Sequence, residues 1–318
     1  MFLHSWKHLR SGKSKKPVNR KRMKWLWWML LPTGVNAIIK AISFYGLETE
    51  QRDFVCSDVH KPKYYLEYLK DLGFNSIRVP FSTLWVEEGR WDKLDSFMDE
   101  CYRLKFDVYF DHHRIFPDRQ DESPLERGMT MDRYLRAWYS ILNRYKLYDN
   151  LVGINAWNEF VSTNASFVND LTSQVFNEVE KNFPERFEYV ATGVLWSGKL
   201  EGVDVDYLPF KDRIRYSLHK YVFSIGVGEE YETSWVRSLA HHPPSRVVIG
   251  EYGWLPQDTW WGERFVYWLK SVGIKDTFFW TIARSDGTGG LWQDDCKTFE
   301  ADKFRLIHRL WSDKHLRG

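Results

Sequence analysis

Cysteines, long apolar runs and glycine-rich phosphate loops are all scarce in this sequence, and each shortage excludes a class of protein. Three cysteines (Cys56, Cys101 and Cys296) in 318 residues are too few and too scattered for a disulfide framework or a thiolate zinc site. No apolar stretch reaches the roughly 20 residues that a membrane helix needs, so no integral span is expected. No glycine-rich loop follows any β-type run, which argues against a nucleotide-binding doubly wound sheet. The first 24 residues have no acidic side chain at all. They hold nine lysines and arginines, so the formal net charge of +2 conceals a body with 36 basic and 43 acidic residues, or −7. With that leader set aside no basic stripe remains, and nucleic acid is not expected as a partner.

Aromatic side chains are abundant: 17 Trp, 17 Tyr and 21 Phe, or 17% of the chain. Such a content excludes a disordered chain, and the length suits one large core. Residues 1–24 read as a flexible basic leader. Trp25–Leu31, followed by Pro32-Thr33-Gly34, admits two readings. One is a signal peptide with Val35-Asn36-Ala37 as its cleavage site. The other, preferred because the basic region is long and the apolar core short, is a strand and turn leading into Ala37–Phe44, a hairpin that closes the fold.

From residue 38 onward, short β-rich runs alternate with longer amphipathic stretches. The expected strands are Ile38–Phe44, Ser76–Pro80, Asp107–Asp111, Leu151–Ala156, Phe187–Ala191, Ile214–Leu218, Arg246–Gly250 and Thr277–Ile282. Helical spacing of apolar residues marks Lys63–Leu72, Asp132–Leu147, Val168–Asn182, Tyr231–Ala240, Thr259–Val272 and Ala301–Trp311. Alternation of this kind implies parallel strands joined by crossovers. Eight strands suit a (β/α)8 TIM barrel, an α/β fold of typically ~250 residues, with a doubly wound sheet as runner-up. The expected organisation is a leader over 1–24 and a single domain over 25–318.

Active sites of such barrels lie at the C-terminal strand ends. Six of the eight expected ends carry polar, titratable or sugar-stacking groups: Arg78; Asp111-His112-His113-Arg114; Trp157-Asn158-Glu159; His219-Lys220-Tyr221; Glu251; and Trp280. Glu159 and Glu251 each follow an apolar strand, where an unpaired buried carboxylate is costly. Two carboxyl groups facing one cleft are what glycoside hydrolysis requires, one as acid and then base, the other as nucleophile. The plainer readings stand beside these. Either glutamate could be a cap or an ion-pair partner, Asp111 could brace its strand, and His241-His242 reads as a solvated loop pair. A metal at His112-His113 is not expected, because no ligand stands at helical spacing.

Taken in order, the motifs resemble those of glycoside hydrolase family 5, the cellulase family of retaining (β/α)8 glycosidases, and most of all its bacterial endoglucanase branch. The resemblance runs from about 36 to 311 and rests on Ile42–Thr49, Leu72–Pro80, Val152–Glu159, Ile249–Gly253 and Ser285–Asp295. It implies Glu159 as general acid/base and Glu251 as nucleophile. It further implies Asn158 on the sugar 2-hydroxyl, Arg78 and Tyr221 on Glu251, His113 and His219 lining the cleavage subsite, and Trp280 as a stacking platform. Two positions depart from the family pattern: Phe160 follows Asn-Glu where proline is usual, and Ile115 follows Arg114 where proline is common. The implied function is retaining endo-β-1,4-glucan hydrolysis without cofactor or metal. Mannan, xyloglucan, β-1,3/1,6-glucan or a non-catalytic carbohydrate-binding barrel remain as alternatives. A polysaccharide or oligosaccharide substrate, a monomer and a secreted location are expected. Trp85, Trp157, Trp196, Trp254 and Trp292, at or after strand ends, are further candidates to line a sugar cleft.

Overall fold

Eight strands and the helices between them follow the alternation in the sequence. In the computed structural model, which describes residues 38–224, 230–283 and 288–312, the strands are β1 (Lys40–Ser43), β2 (Ser76–Ser82), β3 (Asp107–Arg114), β4 (Leu151–Asn155), β5 (Glu188–Thr192), β6 (Ile214–Lys220), β7 (Val247–Tyr252) and β8 (Thr277–Phe279). Each pairs in parallel with the next, and β8 returns to β1, closing the barrel. The helices are α1 (Pro62–Asp71), α2 (Thr83–Glu88), α3 (Trp91–Leu104), α4 (Met131–Tyr145), α5 (Ala165–Asn182), the single turn α6 (Val194–Ser197), α7 (Tyr231–Ser238), α8 (Thr259–Val272) and α9 (Ala301–Trp311). The body from Ile38 on is one compact unit. The leader and the hairpin or signal segment expected before residue 38 lie outside the described residues.

Local chemistry sets the helix ends. Side-chain oxygens of Ser82, Thr130 and Asn164 accept the backbone N–H three residues on, at the starts of α2, α4 and α5. In α4, Tyr134, Ala137, Trp138, Ile141, Leu142 and Tyr145 form one buried stripe, the 3.6-residue period that packs a helix on a sheet. The helix α3 is absent from the sequence expectation, although Leu94, Phe97, Met98 and Cys101 bury one face of it. Among the described residues no helix is long and apolar enough to cross a membrane.

Barrel closure makes a covalent bond that spacing alone does not suggest. Cys56, in the loop after β1, and Cys296, in the loop after β8, form a disulfide with Cα atoms 5.6 Å apart across 240 residues of sequence. The cysteines do not form a framework, but two of the three form this one bridge, while Cys101 is free and buried.

Two features of the strands aim the polar groups. The first is the alternation of side chains along a strand. Asp111 and His113 of β3 share one face, with His113 on the cleft. His112 between them packs outward against Tyr134, Trp138 and Trp157. The second is a register shift between β6 and β7: Leu218 pairs with Ile249 but His219 pairs with Glu251. The extra residue is Gly250, and such a bulge re-aims the side chains beside it. A Cβ on Gly250 would stand 2.0 Å from Ser217 Oγ and 2.9 Å from His219 Nε2, so only glycine leaves room for the imidazole next to Glu251.

Candidate active site

The cleft opens at the C-terminal end of the barrel, with a volume of about 690 Å³, within the usual size of a ligand pocket. Seven of the eight expected site residues line it: His113, Asn158, Glu159, His219, Tyr221, Glu251 and Trp280. The eighth, Arg78, is buried beneath and bonds to two of them.

Glu251 is held from both sides. Arg78 Nη1 donates to its Oε1 at 2.6 Å, and the Tyr221 hydroxyl donates to its Oε2 at 2.8 Å. Arg78 also donates through Nη2 to Asn158 Oδ1 at 2.6 Å and stands 3.0 Å from Asp111 Oδ2. Burial opposes charge on Arg78, but the Asp111 and Glu251 carboxylates outweigh it and raise its pKa. Burial lifts Asp111 to about 6 against the pull of Arg78.

Glu159 sits differently. Its side chain is 16% exposed to the cleft, and its Oε1 lies 2.7 Å from His219 Nδ1. Desolvation pushes its carboxyl up to about 8, with Arg78 only partly offsetting this. Desolvation also draws His219 down to about 4, against the Glu251 charge, so the neighbouring imidazole is neutral and supplies no cation to ionise Glu159. The backbone around Glu159 is pinned. Asn158 N–H donates to His112 O at 3.1 Å, and Trp157 Nε1–H donates to Glu159 O at 2.8 Å. Phe160 is fully buried and accepts from Trp196 N–H at 2.7 Å. Packing and this bond fix the chain just after Glu159.

Single oxygens of Glu159 and Glu251 and a nitrogen of His219 all lie within 4.8 Å of one another. Among the described residues this is the one His/Cys/Asp/Glu group with metal-site geometry. Its donor atoms are engaged with each other, and a guanidinium 2.6 Å from Glu251 opposes a further cation there. The two carboxyl groups thus face each other across the cleft with their nearest oxygens within 4.8 Å, an approach compatible with the roughly 5–5.5 Å spacing of retaining glycosidases.

The aromatic candidates divide. Trp280 faces the cleft, with His113 stacked on it at 5.3 Å and Tyr45 at 5.7 Å. Trp196 reaches the rim, 45% exposed, because Leu195, Trp196 and Ser197 all take positive φ. That left-handed turn costs roughly 1–2 kcal/mol per residue, and bonds from Leu195 N–H to Ser162 O and Gly193 N–H to Ser197 Oγ hold it. Trp85, Trp157, Trp254 and Trp292 do not line the cleft; each is at most 1% exposed and belongs to the core. His242 is not solvated either: it is buried, with Nε2 2.7 Å from Val203 O. Phe223, stacked on Tyr221 at 5.2 Å, and Lys199 line the cleft and were not anticipated. Phe223 was open to inference, since it lies two residues beyond Tyr221. Residues 284–287 of the expected loop after β8 lie outside the described residues, while Thr288 reaches the cleft.

Comparison with known proteins agrees with this architecture. The sequence profile described as cellulase, glycosyl hydrolase family 5, matches residues 35–283. The major extracellular endoglucanase of Xanthomonas campestris pv. campestris is 21% identical, the alignment covering 86% of this chain and 67% of that protein. An endoglucanase of Paenibacillus polymyxa is also 21% identical, over 87% and 84% of the two chains. The solved structure of the catalytic domain of the Xanthomonas enzyme superimposes with a TM-score of 0.76 at 21% identity, covering 88% of this chain and 96% of that one. A variant of the Pyrococcus horikoshii endocellulase in complex with cellotetraose gives 0.77 at 20% identity, over 87% and 93%. This chain belongs to the cellulase family, glycosyl hydrolase family 5.

Proposed function

We propose that this glycoside hydrolase is a retaining endo-β-1,4-glucanase, with Glu251 as nucleophile and Glu159 as general acid/base. The observation that carries the reading is that an oxygen of each carboxyl group comes within 4.8 Å of the other, with opposite surroundings. Glu251 is bonded by Arg78 and Tyr221, and Glu159 is held protonated at neutral pH by burial. In the first step a Glu251 oxygen bonds to the anomeric carbon as the glycosidic C–O bond breaks, and the Glu159 proton passes to the leaving oxygen. In the second, ionised Glu159 takes a proton from water, whose oxygen bonds to the anomeric carbon as the ester to Glu251 breaks. Glu159 is protonated again and Glu251 is freed as carboxylate, so the cycle closes without cofactor.

Asn158, its oxygen held by Arg78, is suited to the sugar 2-hydroxyl, and Trp280 to the ring face. The β-1,4-glucan assignment draws on the endoglucanases above. The enzyme is read as a monomer acting on a polysaccharide. The Cys56–Cys296 bridge supports an oxidising, exported location. The test is a panel of polysaccharides with ¹H NMR of the first product. Carboxymethylcellulose and mixed-linkage glucan should be cut internally, the β-anomer appearing first. Preference for mannan, xyloglucan or β-1,3/1,6-glucan would overturn the substrate, and an α-anomer first would overturn retention.

A further inference from the structure

Arg78, Asp111, His113 and Asn158 close a ring of polar contacts beneath the cleft. Arg78 Nη2 donates to Asn158 Oδ1 at 2.6 Å and lies 3.0 Å from Asp111 Oδ2. The same Asp111 oxygen is 2.7 Å from His113 Nδ1. His113 Nε2 is 3.2 Å from Asn158 Nδ2, completing the circuit.

The ring admits one consistent assignment of protons. A guanidinium only donates and a carboxylate only accepts. Asn158 therefore turns its oxygen to Arg78 and its NH2 to His113. An amide NH2 only donates, so His113 Nε2 must accept, and the single proton of the neutral imidazole sits on Nδ1, where Asp111 takes it. Burial keeps His113 neutral by holding its pKa well below the usual range. Asp111 itself has no exposed surface and is not among the residues lining the cleft, so it acts only through its neighbours.

We propose that Asp111 is a positioning residue for hydrolysis: by fixing His113 as the Nδ1–H tautomer it orients the Asn158 amide toward the sugar 2-hydroxyl. The inference rests on the reading of Glu159 and Glu251 as the reacting pair. Without Asp111 the imidazole proton is free to move to Nε2, where it meets the Asn158 NH2 donor to donor. The amide then turns or withdraws, and the contact to the 2-hydroxyl is lost. That contact strengthens in the transition state, so the loss falls on kcat more than on KM.

The test pairs a double-mutant cycle with a direct reading of the tautomer. Asp111→Ala should lower kcat on an aryl β-cellobioside about 10–100-fold, the scale known for partners that orient metal-bound imidazoles and taken over here for a hydrogen-bonding one. In an Asn158→Ala background the same change should cost at most about twofold, because the group it positions is gone. Equal losses in both backgrounds would overturn the proposal, since a merely structural Asp111 acts additively. The second measurement uses wild-type enzyme and needs neither variant folding nor turnover. Imidazole ¹H–¹⁵N correlation spectra, with His113 assigned by its absence in His113→Gln, should show a neutral Nδ1–H ring. An Nε2–H ring would overturn the proposal, whereas absence of hydrolysis by the wild type would overturn the functional reading alone.

Discussion

His219 Nδ1 lies 2.7 Å from Glu159 Oε1, and burial moves the two groups in opposite directions, His219 down to about 4 and Glu159 up to about 8. Through the neutral range the imidazole is uncharged and the carboxyl keeps its proton. The pair therefore stores a proton where a leaving oxygen would need one. The alkaline limb of kcat/KM on a polysaccharide should consequently fall with single-proton slope near pH 8. With a dinitrophenyl β-cellobioside, whose leaving group needs no proton, that limb should be absent from the first step, and Glu159→Gln should leave the first step nearly unchanged. A flat profile between pH 7 and 9 on polysaccharide would contradict the assignment of Glu159.

The same shift has a consequence for stability. Unfolded, Glu159 titrates near 4.5; folded, near 8. Between those values the folded chain holds a proton that the unfolded chain has released. Its contribution is thus fully present below about pH 4.5 and declines as pH rises, until the loss is complete above about pH 8. Buried Glu48, raised to about 7, and Asp111 act in the same direction. Glu159→Gln should then raise Tm at pH 8–9 and change it little at pH 4–5. An equal Tm difference at both pH values would contradict the shift.

The Cys56–Cys296 bridge ties the loop after β1 to the loop after β8, across the seam where the barrel closes. Closing so long a loop is worth up to ~5 kcal/mol in the chain-entropy account, with about 2–5 kcal/mol typical on removal. Cys56→Ser with Cys296→Ser, or reduction of the wild type, should lower Tm measurably. Unchanged thermal unfolding under reducing conditions would show that the bridge contributes nothing.

Trp196 stands at the rim beside the Glu159 segment, its N–H bonded to Phe160 O. With Glu159 as the proposed acid, its proton goes to the leaving oxygen, which puts this rim on the side of the leaving sugar. Trp196→Ala should lower kcat/KM on polysaccharide about 10-fold, the scale of one aromatic stack, and leave an aryl β-cellobioside within about twofold. Equal losses on both substrates would place Trp196 elsewhere in the mechanism.

Much of this was legible in the sequence because strand chemistry is local. An apolar run ending in Asn158-Glu159 or Gly250-Glu251 shows both the strand and what its end presents. All eight expected site residues meet in or beneath one cleft for that reason. The disulfide was not legible, because Cys56 and Cys296 become neighbours only when β8 pairs with β1. From the sequence Asp111 could cap or brace its strand; in the structure it bonds inward to Arg78 and His113. What local sequence could not show is that these partners complete a circuit through Asn158 of another strand end. The four core tryptophans were misplaced because a position near a strand end does not say which face a side chain takes. The left-handed turn that lifts Trp196 has no glycine at Leu195–Ser197, so its sequence gives no turn signal.

The central claim is that Glu251 bonds covalently to the sugar. Incubation with a dinitrophenyl 2-deoxy-2-fluoro-β-cellobioside slows both steps, but its leaving group still lets the ester form and accumulate. Mass spectrometry of the digested enzyme should find the fluorosugar on Glu251, within Val248–Tyr252, and no label in Glu251→Gln. A label on Glu159 or any other residue, or none in an enzyme that hydrolyses the unfluorinated glycoside, would contradict the account.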